Sequence, residues 1–125
     1  MGDLSNNFNR SEFECKCGCG QDTVDYALIK VLEDVREHFL GKPITINSGN
    51  RCTLHNASVG GSPKSQHLLS KAADFRVKGI DAYKVFSYLC EKYLDKYGKG
   101  SYTGRTHIDV RKNNVTWGLE NDTST

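Results

Sequence analysis

Val24, Leu28, Val31, Leu32, Val35 and Phe39 recur three and four positions apart, the period that gathers side chains on one face of a helix. The spacing predicts an amphipathic helix over 24–39, opened by Asp22 or Thr23 as cap and ended by Gly41 and Pro43. Ala82, Val85, Phe86, Leu89 and Tyr93 draw a second stripe behind Asp81. It predicts a helix of about four turns that stops near Gly98. Three shorter stretches alternate instead. In PITIN, Ile44 and Ile46 alternate with polar residues; in AADFRV, Ala73, Phe75 and Val77 take one face, and Asp74 and Arg76 the other; in THIDVR, Thr106, Ile108 and Val110 alternate with His107, Asp109 and Arg111. Period two is the mark of a strand, so each segment is expected to bury one face and show polar groups on the other. The fold expected is α+β, two main helices packed on a small, mostly antiparallel sheet.

Length and composition narrow the picture. A chain of 125 residues suits a single domain over 1–125, and the tail after Trp117, GLENDTST, is expected to fray beyond about residue 118. With 37% hydrophobic and 26% charged residues, the chain is globular and rather polar. No apolar run exceeds Tyr26 to Ile29, far below the roughly 20 residues of a membrane-spanning helix. MGDLSNNFNR at the start has neither the basic opening nor the apolar stretch of a signal peptide. The expectation is synthesis in the cytoplasm, with action elsewhere only after release. Seventeen basic residues against 15 acidic ones leave a net charge of +2, short of the basic excess of nucleic-acid binders. Neither nucleic acid nor a membrane is expected as a partner, and the chain is expected to be a monomer. Lys92, Lys96, Lys99, Arg105, Arg111 and Lys112 lean to the C-terminal third, which suits an anionic polymer or a solvated helix face equally well.

The chemistry lies between 60 and 110. A Gly/Ser/Pro loop delivers His67, Asp74 follows on a strand, and His107 stands on another. Two imidazoles and a carboxylate are a ligand set suited to Zn²⁺, and three protein ligands leave a fourth position open for water. The alternative reading makes His67 an ordinary loop residue, Asp74 the partner of Arg76 or a lysine, and His107 a polar-face strand residue.

Four segments in order, INSGNRC (46–52), HNASVGG (55–61), SQHLLSKAADFRV (65–77) and THIDVR (106–111), resemble the zinc peptidase family of the D-Ala-D-Ala carboxypeptidases. The likeness is nearest to its small carboxypeptidase-like and murein endopeptidase branch, which includes phage lysins. The family pattern S-x-H-x6-D with a later strand histidine is met by Ser65, His67, Asp74 and His107, and the likeness runs from about Phe8 to Trp117. It implies a hedgehog/D-Ala-D-Ala peptidase-like fold and a zinc ion held by His67, Asp74 and His107. It also implies hydrolysis of a peptide bond in peptidoglycan stem or cross-bridge peptides, as in a carboxypeptidase or an endolysin. Arg51, in the family's S-G-x-R motif, is implied to bind a stem-peptide carboxylate, and Ser65 and Gln66 to line the same cleft. One departure matters. Many relatives carry an acidic base three residues before the last zinc histidine, where this chain has Gly104. Murein endopeptidase relatives also show H-x-D, so Asp109 is expected either to be the catalytic base, pointing into the cleft beside His107, or to orient a ligand imidazole. The missing acid also keeps open a catalytically silent zinc-binding module that recognises wall peptide or a protein, as the hedgehog signalling domain resembles this family yet signals by binding.

The cysteines stand apart from this pattern. Cys15, Cys17 and Cys19 in ECKCGCG, with Cys52 beside Arg51, suit a second, structural zinc site or one or two disulfides. They are expected to lie close together and brace the N-terminal segment against the loop carrying Arg51. Cys90 reads as a small buried hydrophobe, and His38 and His55 as scaffold residues.

Overall fold

The computed structural model describes residues 2–62 and 65–118. Helix α1 (Tyr26–His38) buries Leu28, Ile29, Val31, Leu32 and Val35, the face set out by the apolar period. Its cap is Asp25, whose carboxylate accepts from the Ala27 N–H at 2.8 Å. Asp22 and Thr23 do not cap it, because the Thr23 carbonyl and hydroxyl accept from the Asn50 side-chain amide at 2.7 and 2.9 Å. Strand β1 (Ile44–Ser48) follows, then the short helix α2 (Thr53–Ser58), a 3-10 turn over Gln66–Leu69, strand β2 (Ala72–Val77) and helix α3 (Ala82–Lys92). Asp81 caps α3 as expected, accepting from the Tyr83 N–H. The helix is shorter than its stripe suggested: Tyr93 is the C-cap and Tyr97 takes a left-handed φ of 74°, turning the chain into strand β3 (Gly98–Tyr102). Strands β4 (Arg105–Asp109) and β5 (Val115–Trp117) complete the fold.

The five strands form one sheet in the order β1-β2-β4-β3-β5, antiparallel except for the β3–β5 pair. One face carries Ala73, Phe75, Val77 and Ile108, packed with Leu28, Leu32, Val35, Val85 and Leu89 of the helices into a single core that Phe8 and Phe13 also enter. Truncating a residue such as Leu32 to Ala would leave a cavity worth about 2–5 kcal/mol.

The register positions the opposite face. Asp74 lies directly across from His107, and His107 across from Gly100; Ala72 faces Asp109, and Asp109 faces Gly98. Opposed residues in an antiparallel pair hold their Cβ atoms about 5 Å apart, so Asp74 and His107 meet by strand pairing alone. This face is not open to solvent as the alternation suggested. Asp74, His107 and Asp109 are all buried, covered by the 3-10 turn, the segment after β1 and Trp117. Gly98 and Gly100 make that cover possible: a Cβ would stand 2.3 Å from Asp109 Oδ2 at Gly98 and 2.3 Å from Trp117 Nε1 at Gly100.

Candidate metal centre

His67 sits in the 3-10 turn, which Ser65 caps by accepting from the His67 N–H at 3.2 Å and which Ser70 ends at a left-handed φ of 61°. The turn holds the His67 ring inside the fold, with Nδ1 2.6 Å from the Gly49 carbonyl. A carbonyl only accepts, so Nδ1 carries the proton and Nε2 presents its lone pair. Nε2 is buried without a hydrogen-bond partner among the described residues, and Asp74 Oδ2 is its nearest charged neighbour at 3.5 Å. His107 Nδ1 lies 2.8 Å from Asp74 Oδ1. One donor atom from each of His67, Asp74 and His107 falls within 4.8 Å of the others. Two imidazole nitrogens and one carboxylate oxygen so arranged, one nitrogen orphaned in the interior, fit a divalent metal ion.

Charge in the cluster favours the ligating form of the carboxylate. Burial opposes ionisation of Asp74, but the hydrogen bond from His107 and the two imidazoles beside it hold it well below the usual carboxylate range. For His107, burial favours the neutral ring, yet Asp109 and Asp74 together raise its proton affinity above the ordinary histidine value. The three residues open onto a cleft of about 930 Å³ that Arg51, Ser65, Gln66, Tyr102, Arg105 and Trp117 also line.

A sequence model of the family described as Peptidase M15 matches residues 6–109. The chain belongs to the peptidase M15 family. No curated protein matches it. M15 peptidases are metallopeptidases, and the histidine and aspartate cluster of this chain could hold a metal ion.

Arg51 of this M15 peptidase reaches the cleft from the loop after β1. Its Nη1 donates to Asn56 Oδ1 at 2.9 Å, its Nε to Ser48 Oγ at 3.4 Å, and its Nη2 lies 3.8 Å from Asp74 Oδ2. Gly61 allows this seat, since a Cβ there would fall 2.6 Å from Nη1. Ser65 and Gln66 line the cleft as the resemblance implied, and so does His55, read from sequence as scaffold. His38 packs instead on Tyr88, ring centroids 3.7 Å apart, and Cys90 is half-buried rather than buried.

Asp109 does not point into the cleft. Its side chain is 0% exposed and accepts from His107 Nε2 at 2.8 Å, from the Gly98 N–H at 3.1 Å, and from the Arg111 N–H, Nε and Nη2 at 3.2, 2.7 and 2.7 Å. These bonds outweigh burial and keep it ionised, well below the usual carboxylate range. A strand does place residues two apart on one face, but Asp109 lies opposite Gly98, and the empty space there draws the carboxylate inward behind His107. Asp74 is thus the only carboxylate lining the cleft among the described residues. Position 104 is a turn glycine with φ 78°.

Trp117, Tyr102, Arg105 and Lys16 escaped sequence reasoning as cleft residues. Trp117 rests 4.9 Å, centroid to centroid, from the His107 ring and donates from Nε1 to Tyr102 Oη at 2.8 Å. Arg105 stacks on Tyr102 at 4.5 Å. Only the glycines of GKGSY, which leave room beside a strand, could have hinted at this cover.

Proposed function

We propose that this metallopeptidase is a zinc enzyme that hydrolyses a peptide bond in peptidoglycan, in the stem or in the cross-bridge, and that it acts on the cell wall. The observation that carries the reading is the orphaned His67 Nε2, buried and converging with Asp74 and His107 beside a fixed arginine. A zinc ion held by His67, Asp74 and His107 would supply Lewis acidity, lowering the pKa of water to about 7 and polarising the scissile carbonyl. The chain's own residues do the rest. Arg51, pre-set by Asn56 and Ser48, binds a carboxylate of the stem peptide through the guanidinium N–H groups that those two residues do not take. Asp109 accepts the His107 Nε2–H, so that Nδ1 is the nitrogen that would give up its proton on Asp74's side and face a bound metal; it is a positioning residue rather than the base. Tyr102 and Arg105, whose Nε lies 3.9 Å from Asp74 Oδ2, bring O–H and N–H donors to the cleft, where negative charge develops on the substrate oxygen. Trp117 shields the His107 ring from water. Lys16, Arg51 and Arg105 on the rim suit a substrate that carries carboxylates.

A second reading, a silent zinc-binding module for wall peptide or a protein partner, is favoured by one observation: apart from Asp74, no carboxylate lines the cleft among the described residues. Purified sacculi incubated with zinc-loaded protein separate the two. Mass spectrometry should find newly hydrolysed muropeptides, and their termini identify the bond. Sacculi that stay intact while the protein co-sediments with them would replace the enzyme with the binding module.

A further inference from the structure

A second group of possible metal ligands lies outside the His67 centre. The sequence CKCGCG places three sulfurs within five residues, and the fold brings the start of α2 against them. Cys15, Cys17, Cys19 and Cys52 each offer a sulfur, all within 4.8 Å of one another. Cys15 and Cys17 are 3.5 Å apart through sulfur, and so are Cys17 and Cys52. A tetrahedron with metal–sulfur bonds of about 2.3 Å has sulfur–sulfur edges of roughly 3.8 Å. A disulfide needs about 2.05 Å, and all five cysteines of the chain are free. The cluster therefore has the dimensions of a metal cage rather than of paired bridges.

The backbone around it is built to receive negative sulfur. The Cys52 N–H donates to Cys15 Sγ at 3.4 Å, and the His55 N–H donates to Cys52 Sγ at 3.4 Å. Cys52 is thus the cap of α2. The loop closes through Cys15 N–H to the Gln21 carbonyl at 2.8 Å, while Gly18 and Gly20, at φ 85° and 88°, make turns that side chains with a Cβ resist. These turns curl Cys17 and Cys19 back toward Cys15. Lys16, within the loop, lines the cleft.

We propose that Cys15, Cys17, Cys19 and Cys52 form a four-thiolate site for a thiophilic divalent cation, zinc foremost. On binding, each thiol releases its proton to solvent, and the sulfurs remain as ligands with no change of oxidation state. The site is structural, since four protein ligands leave no open position for substrate. It clamps the N-terminal segment to the residue after Arg51 and sets Lys16 on the rim of the cleft. It does not depend on the cleft being hydrolytic.

The test is Co²⁺ titration of the reduced, metal-stripped full chain. Thiolate-bound Co²⁺ gives sulfur-to-metal charge-transfer absorption in the near ultraviolet, which a His/Asp/His site does not. The expected result is a charge-transfer signal that appears in wild type, is displaced by Zn²⁺, saturates at one equivalent in a His67→Ala/His107→Ala chain, and is lost in Cys17→Ser. Cys17 is exposed, so its replacement leaves the core intact. The wild-type titration stands whether or not that variant folds. Absence of the charge-transfer signal in wild type overturns the proposal, as does a disulfide in the unreduced mass of the chain. Rapid reaction of all five thiols with Ellman's reagent in the zinc-loaded protein overturns it too.

Discussion

Replacing Asp109 with Asn separates a positioning role from a catalytic one. Both oxygens of Asp109 are saturated with donors: Oδ2 receives His107 Nε2 and Arg111 Nη2, and Oδ1 receives the Gly98 N–H with the Arg111 N–H and Nε. An amide must set its NH2 against one of these groups, and the Oδ2 side opposes two donors rather than three. His107 can relieve that conflict only by giving up its Nε2 proton and taking one on Nδ1, the atom 2.8 Å from Asp74 Oδ1 that faces the metal position. The variant therefore trades a ligating nitrogen for an N–H. Loss of such a supporting carboxylate typically costs 10–100-fold in metal affinity, about 1.4–2.7 kcal/mol. A chromophoric chelator competing for zinc measures that affinity, and turnover on sacculi at saturating zinc measures the rest. The expected pattern is weaker zinc binding, with much of the activity restored as zinc is raised. An Asn protein with unchanged zinc affinity and turnover lower by about 10²–10⁴, the usual worth of a general base, would refute the argument and make Asp109 the base.

Other consequences are equally direct. His67→Ala should lose the cleft metal while circular dichroism shows the helices intact, because the ring gives up only its Nδ1 hydrogen bond to the Gly49 carbonyl, which lies outside the main helices; equal cleft-metal content would contradict the assignment. Arg51→Ala should lower kcat/KM by a factor corresponding to about 2–5 kcal/mol if it removes a desolvated carboxylate contact, and Arg51→Lys should restore little, since an ammonium lacks the guanidinium fork; unchanged kinetics in the Ala protein would reduce Arg51 to a loop brace. Gly98→Ala should displace Asp109, whose Oδ2 would lie 2.3 Å from the new Cβ, lowering both the melting temperature and zinc affinity, whereas Gly60→Ala, where no atom lies within 4 Å, carries only the strain of its positive φ. Metal-free protein should be most stable between about pH 4 and 6.5. The lowered Asp74 and Asp109 contribute fully above the ordinary carboxylate value and lose that contribution as pH falls through their folded values. The raised His107 contributes fully below its ordinary value and loses it as pH rises through its folded one. Melting temperatures across pH in excess chelator would show this, and stability that climbs steadily to pH 8 would contradict it.

What was legible in the chain was whatever a short stretch can state by itself. The apolar faces of α1 and α3 and the alternation of β1, β2 and β4 follow from burial at fixed periods, so Leu28 through Val35 and Ala73 through Val77 announced their core. The candidate ligands His67, Asp74 and His107 were legible through the order of four short motifs, and the cysteine cluster through the density of ECKCGCG together with Cys52 beside Arg51. Strand β3 was hidden because GKGSY is poor in the side chains that favour strands, β5 because three residues carry no period, and α2 because its cap is a thiol. The length of α3 depended on the turn at Tyr97. The position of Asp109 was decided only by tertiary structure. Its spacing from His107 allows a residue aimed into a cleft, and nothing local distinguishes that from a carboxylate locked beneath it. What distinguishes them is the partner strand, where Gly98 leaves a hole that the carboxylate fills, with Arg111 folded back on it. A sequence encodes the face a side chain takes along its own strand, whereas depth and hydrogen-bond partners come from residues opposite, which pairing brings near and chain order does not.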